Sequence, residues 1–271
     1  MTTTPRNGNV PSSGFQDADA YEQIMGRWSR LLAPMLIRFG GLSDGDRVLD
    51  AGCGTGNLSF ALPEVANIAS VTGIDMTEPF IAAARARATD PRFSFDVGDA
   101  LALPYGDATF DRAYSMLVLH FIPDSAKAVS EMRRVVRPGG TIVAAVWDNY
   151  GGQQFSRMLW DVAIVLDPQL VPAYFRPLNS DGEMAALWRE SGLRDVDQTT
   201  LTIRMTFRDF DDYWAPFTTG EGPYGQYVAR LTETARETLK GHLRRAYTGN
   251  RPDGPRSMAA SAWACRGTVP T

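Results

Sequence analysis

Lysine is nearly missing from this chain. Lys127 and Lys240 are the only two among 271 residues, so the 27 basic residues are otherwise arginines, and 31 acids outnumber them. A net charge of −4 without a basic block leaves little to neutralise a phosphate backbone, which argues against nucleic acid as a partner. It does not exclude a small negatively charged ligand. Cysteine is equally scarce: Cys53 and Cys265 lie too far apart for a disulfide framework or a CxxC site. With only His120 and His242 as histidines, a His/Cys zinc cluster is not expected, and no metal site is assigned. No run of about 18 apolar residues exists to span a membrane. The first fourteen residues are polar and rich in Thr, Ser, Gly and Pro, so residues 1–14 read as a flexible tail rather than a signal peptide. A soluble cytoplasmic protein is the expectation.

What remains is an ordinary globular composition with a clear alternation of periods. Helical spacing over 17–39 ends at Gly40-Gly41. Strand 47–51 then leads to helix 57–67, strand 70–75 to helix 79–89, strand 93–97 to a polar loop, and strand 110–117 to helix 124–137. Pro138-Gly139-Gly140 reads as the stop of that last helix, before strand 141–147. Alternating strands and helices imply a parallel α/β sheet with right-handed crossovers, whose ligands bind at the carboxyl ends of the strands. Beyond 147 the pattern changes. Helices are expected over 152–167 and 180–191, a strand over 198–208, an aromatic, helix-forming segment from Phe210 to Tyr247, and a strand over about 257–266. The late strands read as an antiparallel edge carrying a helical cap. The organisation expected is one domain over 15–271, with a ligand-binding core over 15–148 and a cap over about 149–195 and 209–250.

The densest signal is Val48-Leu49-Asp50-Ala51-Gly52-Cys53-Gly54-Thr55-Gly56. A short apolar run ends in an acid and enters a turn whose glycines let backbone approach a ligand closely. A pyrophosphate would sit badly beside Asp50, so the turn fits a ligand with positive groups and no phosphate. Asp75 ends the second strand, where an acid can accept both hydrogen bonds of a ribose diol or cap the following helix. Met76 beside it can pack on an aromatic base or belong to the core. Asp99 closes the third strand after Gly98, as a ligand acceptor or a turn former.

Together the stretches VLDAGCGTG, VTGIDMTEPF, DVGDALALPYGDATFDRAYSMLVLHFIPD and EMRRVVRPGGTIVAAVWD resemble the class I S-adenosylmethionine (SAM)-dependent methyltransferases, most closely the small-molecule, type 11-like group. The resemblance covers roughly residues 20–148. It implies a Rossmann-like sheet of seven strands, mostly parallel with an antiparallel last strand, and helices on both faces. It implies SAM as donor and S-adenosylhomocysteine (SAH) as product. Gly52, Cys53, Gly54, Thr55 and Gly56, with Asp50 nearby, would then serve the methionine portion, Asp75 and Met76 the nucleoside, and Asp99, Ala100 and Leu101 the adenine. Tyr21 and Arg27, on a helix that folds over the cofactor in related enzymes, are candidates for the methionine carboxylate.

Ser115 and Met116 would lie below the transferring methyl, with His120 as a candidate general base or a packing histidine. The Asn/Asp-Pro-Pro-aromatic signature of DNA-base methylation is missing there. Aromatics after the fifth strand, among them Trp147, Tyr150, Phe175, Tyr213, Trp214, Phe217 and Tyr224, are candidate walls for an apolar acceptor or anchors of the cap. Gly220, Gly222 and Gly225 around Pro223 would suit a moving lid. The reading is methyl transfer to a small apolar or aromatic acceptor. The alternatives are a catalytically silent SAM-binding partner protein and an NAD-linked oxidoreductase.

Overall fold

Neighbouring residues of the first strand, β1 (Arg47–Ala51), face opposite ways. Val48 joins one core with Val71, Tyr114 and Val143, while Leu49 joins another with Ala113, Ile142 and Ala144. A strand that is apolar at consecutive positions has to be covered on both sides. The computed structural model describes residues 17–172 and 176–271 and shows that arrangement. After β1 come β2 (Ser70–Asp75), β3 (Phe93–Val97), β4 (Phe110–Met116), β5 (Val136–Trp147), β6 (Arg194–Phe207) and β7 (Arg256–Thr268). They form one seven-stranded sheet in the order β3-β2-β1-β4-β5-β7-β6. The first five strands pair in parallel, and β7 runs antiparallel between β5 and β6. This is the mostly parallel sheet with an antiparallel last strand that the sequence predicts.

The N-terminal helix comes in pieces: α1 (Ala18–Tyr21), a π turn (Glu22–Gly26) and α2 (Arg27–Gly40). Then follow α3 (Glu78–Arg87), α4 (Ser125–Val135), α5 (Gln154–Leu166) and α6 (Glu183–Glu190). Between β6 and β7 the chain inserts α7 (Phe210–Trp214), α8 (Gly222–Ala229) and α9 (Glu233–Thr248). Apolar residues of α2, α5, α7 and α9 pack on one face of the sheet, and those of α4 and α6 on the other. Among the described residues no helix is long and apolar enough to cross a membrane. The tail expected over 1–14 lies outside the described residues, as does Phe175.

Several boundaries differ from the sequence reading for local reasons. The helix expected over 57–67 is a 3-10 segment, Ser59–Glu64, containing Pro63, which brings no N–H to an α-helical ladder. The helix expected to reach 137 ends at Val135, and β5 starts at Val136. Pro138-Gly139-Gly140 therefore lies within β5, where the register to β4 shifts between Phe110 and Arg112. The last two strands outrun their predicted limits because they pair with each other, from Arg194 opposite Thr268 to Phe207 opposite Arg256.

Candidate functional site

Three left-handed residues shape the turn after β1: Gly52, Gly54 and Gly56 have φ of +76°, +54° and +86°. A Cβ on Gly52 would lie 2.6 Å from Val118 Cγ1, so that position is closed by packing as well as by backbone conformation. Gly54 differs. Nothing comes nearer to its missing Cβ than 3.9 Å, where Tyr21 stands, so the turn opens there. Its N–H donates to Asp75 Oδ2 at 3.0 Å, and the N–H of Thr77 donates to Oδ1 at 2.9 Å. The acid at the end of β2 thus pins the turn after β1 and the entry to α3.

Gly52 and Gly54 belong to the wall of a cavity of about 1050 Å³ at the carboxyl ends of the parallel strands. Asp75, Met76, Asp99, Ala100 and Leu101 line it too, and the Asp99 carboxylate accepts the N–H of Leu101 at 2.9 Å. Met76 is 72% exposed, which removes it from the core and leaves its thioether free to cover a ligand. Tyr21 closes this end from the N-terminal helix, its ring 5.1 Å from that of Phe80.

Other expected ligand residues lie behind the wall. Asp50 is 1% exposed and accepts from Ser59 Oγ at 2.6 Å. Burial pushes its carboxyl up to about 7, with the charge of Asp75 adding to the effect and the Ser59 hydrogen bonds opposing it. Cys53 is buried and its thiol is raised by burial, which leaves it inert as a nucleophile. The Thr55 hydroxyl donates to Glu22, which also accepts from Asn57 Nδ2 at 2.7 Å and pairs with Arg30. Burial raises the Glu22 carboxyl, but these bonds more than offset it and hold the group below its ordinary range. Glu22 sits in the π turn, an element often found at functional sites. This latch from the N-terminal helix to the glycine turn was not anticipated from the sequence. Gly56 is also off the cavity wall.

The opposite end of the cavity is built from the strand ends and the cap. Met116 ends β4 and Leu117 and His120 follow it, Trp147 ends β5, Trp160 comes from α5, and Pro223 and Tyr224 from α8. Leu117 holds a left-handed φ of +66°, with its N–H donating to Ala145 O at 2.7 Å. Such strain in a non-glycine residue persists only where surrounding structure enforces it, and it gathers at functional sites. His120 is 3% exposed, its ring 4.0 Å from that of Phe121. Burial, aided by the charge of Arg176, pushes the imidazole down to about 3, so it is neutral at physiological pH. A base that weak is poorly matched to proton abstraction near neutrality.

Six further residues expected to line the site lie off the cavity wall. Tyr213 and Phe217 are fully buried and Trp214 nearly so, away from the wall, in a cluster where Phe155 stacks on Phe217 at 4.8 Å and meets Tyr213 at 5.5 Å. They anchor the cap to the sheet. Tyr150 is exposed beneath the Arg157 guanidinium, 4.8 Å from its ring. Arg27 ion-pairs with Asp212 at 3.0 Å and lies 4.2 Å over Trp28, joining the N-terminal helix to the cap instead of reaching the cavity. Ser115 is buried off the wall. Among the described residues no group of three or more His, Cys, Asp or Glu is placed to hold a metal ion.

Comparison with known proteins adds an independent line. Residues 49–144 match the family described as "Methyltransferase domain". An uncharacterized protein of Mycobacterium tuberculosis is 34% identical over 159 residues, covering 58% of this chain and 53% of the relative. The 27-O-demethylrifamycin SV methyltransferase of Amycolatopsis mediterranei is 38% identical over 135 residues, 48% of each chain. The chain thus spans about half the length of the curated relatives it matches. The structure of a Haemonchus contortus phosphoethanolamine N-methyltransferase 2 in complex with SAM superposes with a TM-score of 0.59 at 19% identity, covering 94% of this chain and 57% of that one. At that identity the likeness establishes the fold.

Proposed function

We propose that this chain, whose residues 49–144 match the methyltransferase-domain family, is a class I SAM-dependent methyltransferase that transfers the methyl of SAM to a small apolar or aromatic organic acceptor. The observation that carries the reading is one cavity with two chemically different ends. Acidic strand-end residues and an open glycine turn line one, and aromatic and aliphatic side chains of the strand ends and cap line the other. The donor set suits the cofactor. Asp75 and Asp99 offer carboxylates for ribose hydroxyls and an exocyclic amine, and Met76 offers an exposed thioether for a base face.

When bound, SAM would supply an already activated methyl group, so the protein's task is alignment and exclusion of water. Leu117, held in its strained conformation, and Val118, packed on Gly52, fix the floor between the two ends. Trp147, Trp160 and Tyr224 make the walls that position a flat apolar acceptor. His120, neutral, acts as a wall and hydrogen-bonding group and not as a proton acceptor. Two relatives whose names specify a small organic acceptor support this class, the rifamycin enzyme and a demethylmenaquinone methyltransferase of Shouchella clausii.

The test is transfer of labelled methyl from SAM into a metabolite extract, paired with thermal melts. SAM or SAH raises the melting temperature by mass action, and label enters a small molecule. Melting that responds to NAD and not to SAH would overturn the reading, and SAH binding without any label transfer would favour the silent binder.

A further inference from the structure

Arg176 stands apart from the ion-paired arginines of this protein. Arg112, Arg134 and Arg266, for example, are all ion-paired. Arg176 lies in the wall of the large cavity, half-buried, with its guanidinium 4.5 Å over the Phe121 ring, and among the described residues no carboxylate pairs with it. A cation withdrawn from water needs compensation, and an aromatic face supplies only part of it. Burial lowers its pKa, with Tyr224 opposing, but a guanidinium stays charged at physiological pH.

The cavity's charges are segregated. The carboxylates that line it, Asp75, Glu78 and Asp99, come from the end of β2, the start of α3 and the loop after β3, at the nucleoside end. Arg176 belongs with His120, Phe121 and Tyr224, the groups its charge and ring contact involve. Its neighbours add further unmet donors. Trp147 and Trp160, both in the wall, keep buried indole N–H groups without a hydrogen-bond partner among the described residues, and an indole N–H can only donate. The Tyr224 hydroxyl already donates to Gln153 Oε1 at 3.0 Å. This end of the cavity is apolar in its walls, positive at Arg176, the one cation that lines it among the described residues, and supplied with donors that await an acceptor atom.

We propose that Arg176 is the acceptor-recognition residue of this site, and that the acceptor is an aromatic or otherwise apolar molecule bearing an anionic oxygen. The proposal rests on the methyltransferase reading and narrows its substrate class. The anionic oxygen is an ionised phenol or enol, or a carboxylate elsewhere on the same molecule, and both would pair with a guanidinium through charge-assisted hydrogen bonds.

The experiment is calorimetric titration of the SAH-saturated protein with matched probes: benzoate against benzamide, and para-nitrophenolate against nitrobenzene. At least one anion should bind about tenfold or more tightly than its neutral partner, as expected for a hydrogen bond to a charged group. Arg176→Gln should erase that preference while still binding SAH, and Arg176→Lys, which keeps the charge, should retain part of it. A preference confined to the phenolate assigns the oxyanion to an acidic hydroxyl, and one confined to benzoate assigns it to a carboxylate. Equal affinity for anion and neutral probe, a preference that survives in Arg176→Gln, or no saturable binding of either anion at millimolar concentration would each overturn the proposal. Failure of the wild-type protein to bind SAH would instead overturn the reading beneath it.

Discussion

Replacing Asp50 by Asn isolates the acid buried beneath the glycine turn. Asn preserves the shape and still accepts from Ser59 Oγ, which stands 2.6 Å from the carboxylate, but it cannot ionise. In the folded protein burial holds the Asp50 carboxyl at about 7, against 3.8 ordinarily. A carboxyl raised in this way binds its proton more tightly folded than unfolded. Its contribution to stability is therefore favourable at low pH and declines as pH rises from about 4 to about 7, staying level above that. About three pH units at about 1.36 kcal/mol each make roughly 4 kcal/mol, an order-of-magnitude figure for this buried group. The stability of the Asn variant relative to wild type should accordingly grow by that amount across the window, or by roughly ten degrees in melting temperature for a chain of this size. Denaturant melts of both proteins without ligand, taken from about pH 4 to about pH 8, measure the difference directly and cancel every other titrating group. A positively charged ligand in the neighbouring cavity would favour the ionised acid, so SAM binding near neutral pH should release protons from wild type and fewer from the variant. Parallel pH profiles for the two proteins would refute the reasoning.

Asp75→Ala should weaken SAH binding about tenfold to a hundredfold, the cost of losing hydrogen bonds to a charged group; a calorimetric dissociation constant that does not move rejects its ribose role. His120→Gln should leave the pH dependence of methyl transfer unaltered between about pH 5 and pH 8, because the imidazole is neutral throughout. An inflection near 6.5 that vanishes in the variant would restore His120 as the base. With its folded pKa lowered, His120 contributes stability that is complete above about 6.5 and lost as pH falls toward about 3, so the variant should resist mild acid better than wild type. Phe217→Ala should cost about 3–5 kcal/mol of stability by emptying the Phe155 stack, with SAH affinity nearly unchanged in the fraction that stays folded. A large loss of SAH affinity would return Phe217 to the cavity wall.

The sheet was legible because alternating periods and strand-end motifs are local signals. The glycines and Asp75 could be read from the local pattern, and the resemblance supplied the role of Asp99 and the strand order that brings them to one edge. Residues whose partners are distant in sequence were not legible in that way. Glu22 meets Thr55 and Asn57 from a π turn whose helical spacing resembles any other helix. Arg176 lies in an aromatic-rich stretch and gains meaning only from what does not surround it. The cap aromatics failed for a different reason: composition places Tyr213, Phe217 and Tyr224 together, but only packing separates the buried pair from the one that reaches the cavity. The sequence places Asp50 beside the turn, whereas its position behind the wall depends on Ser59 and the 3-10 segment that carries it.

Ligand binding decides whether the cavity beneath the glycine turn receives a cationic, phosphate-free nucleoside donor. Calorimetric titration of the full chain with SAM, with NAD as the control, tests it most directly. SAM should bind saturably and raise the melting temperature, and NAD should not bind. Saturable NAD binding, or no heat and no thermal shift with SAM at millimolar concentration, would contradict it.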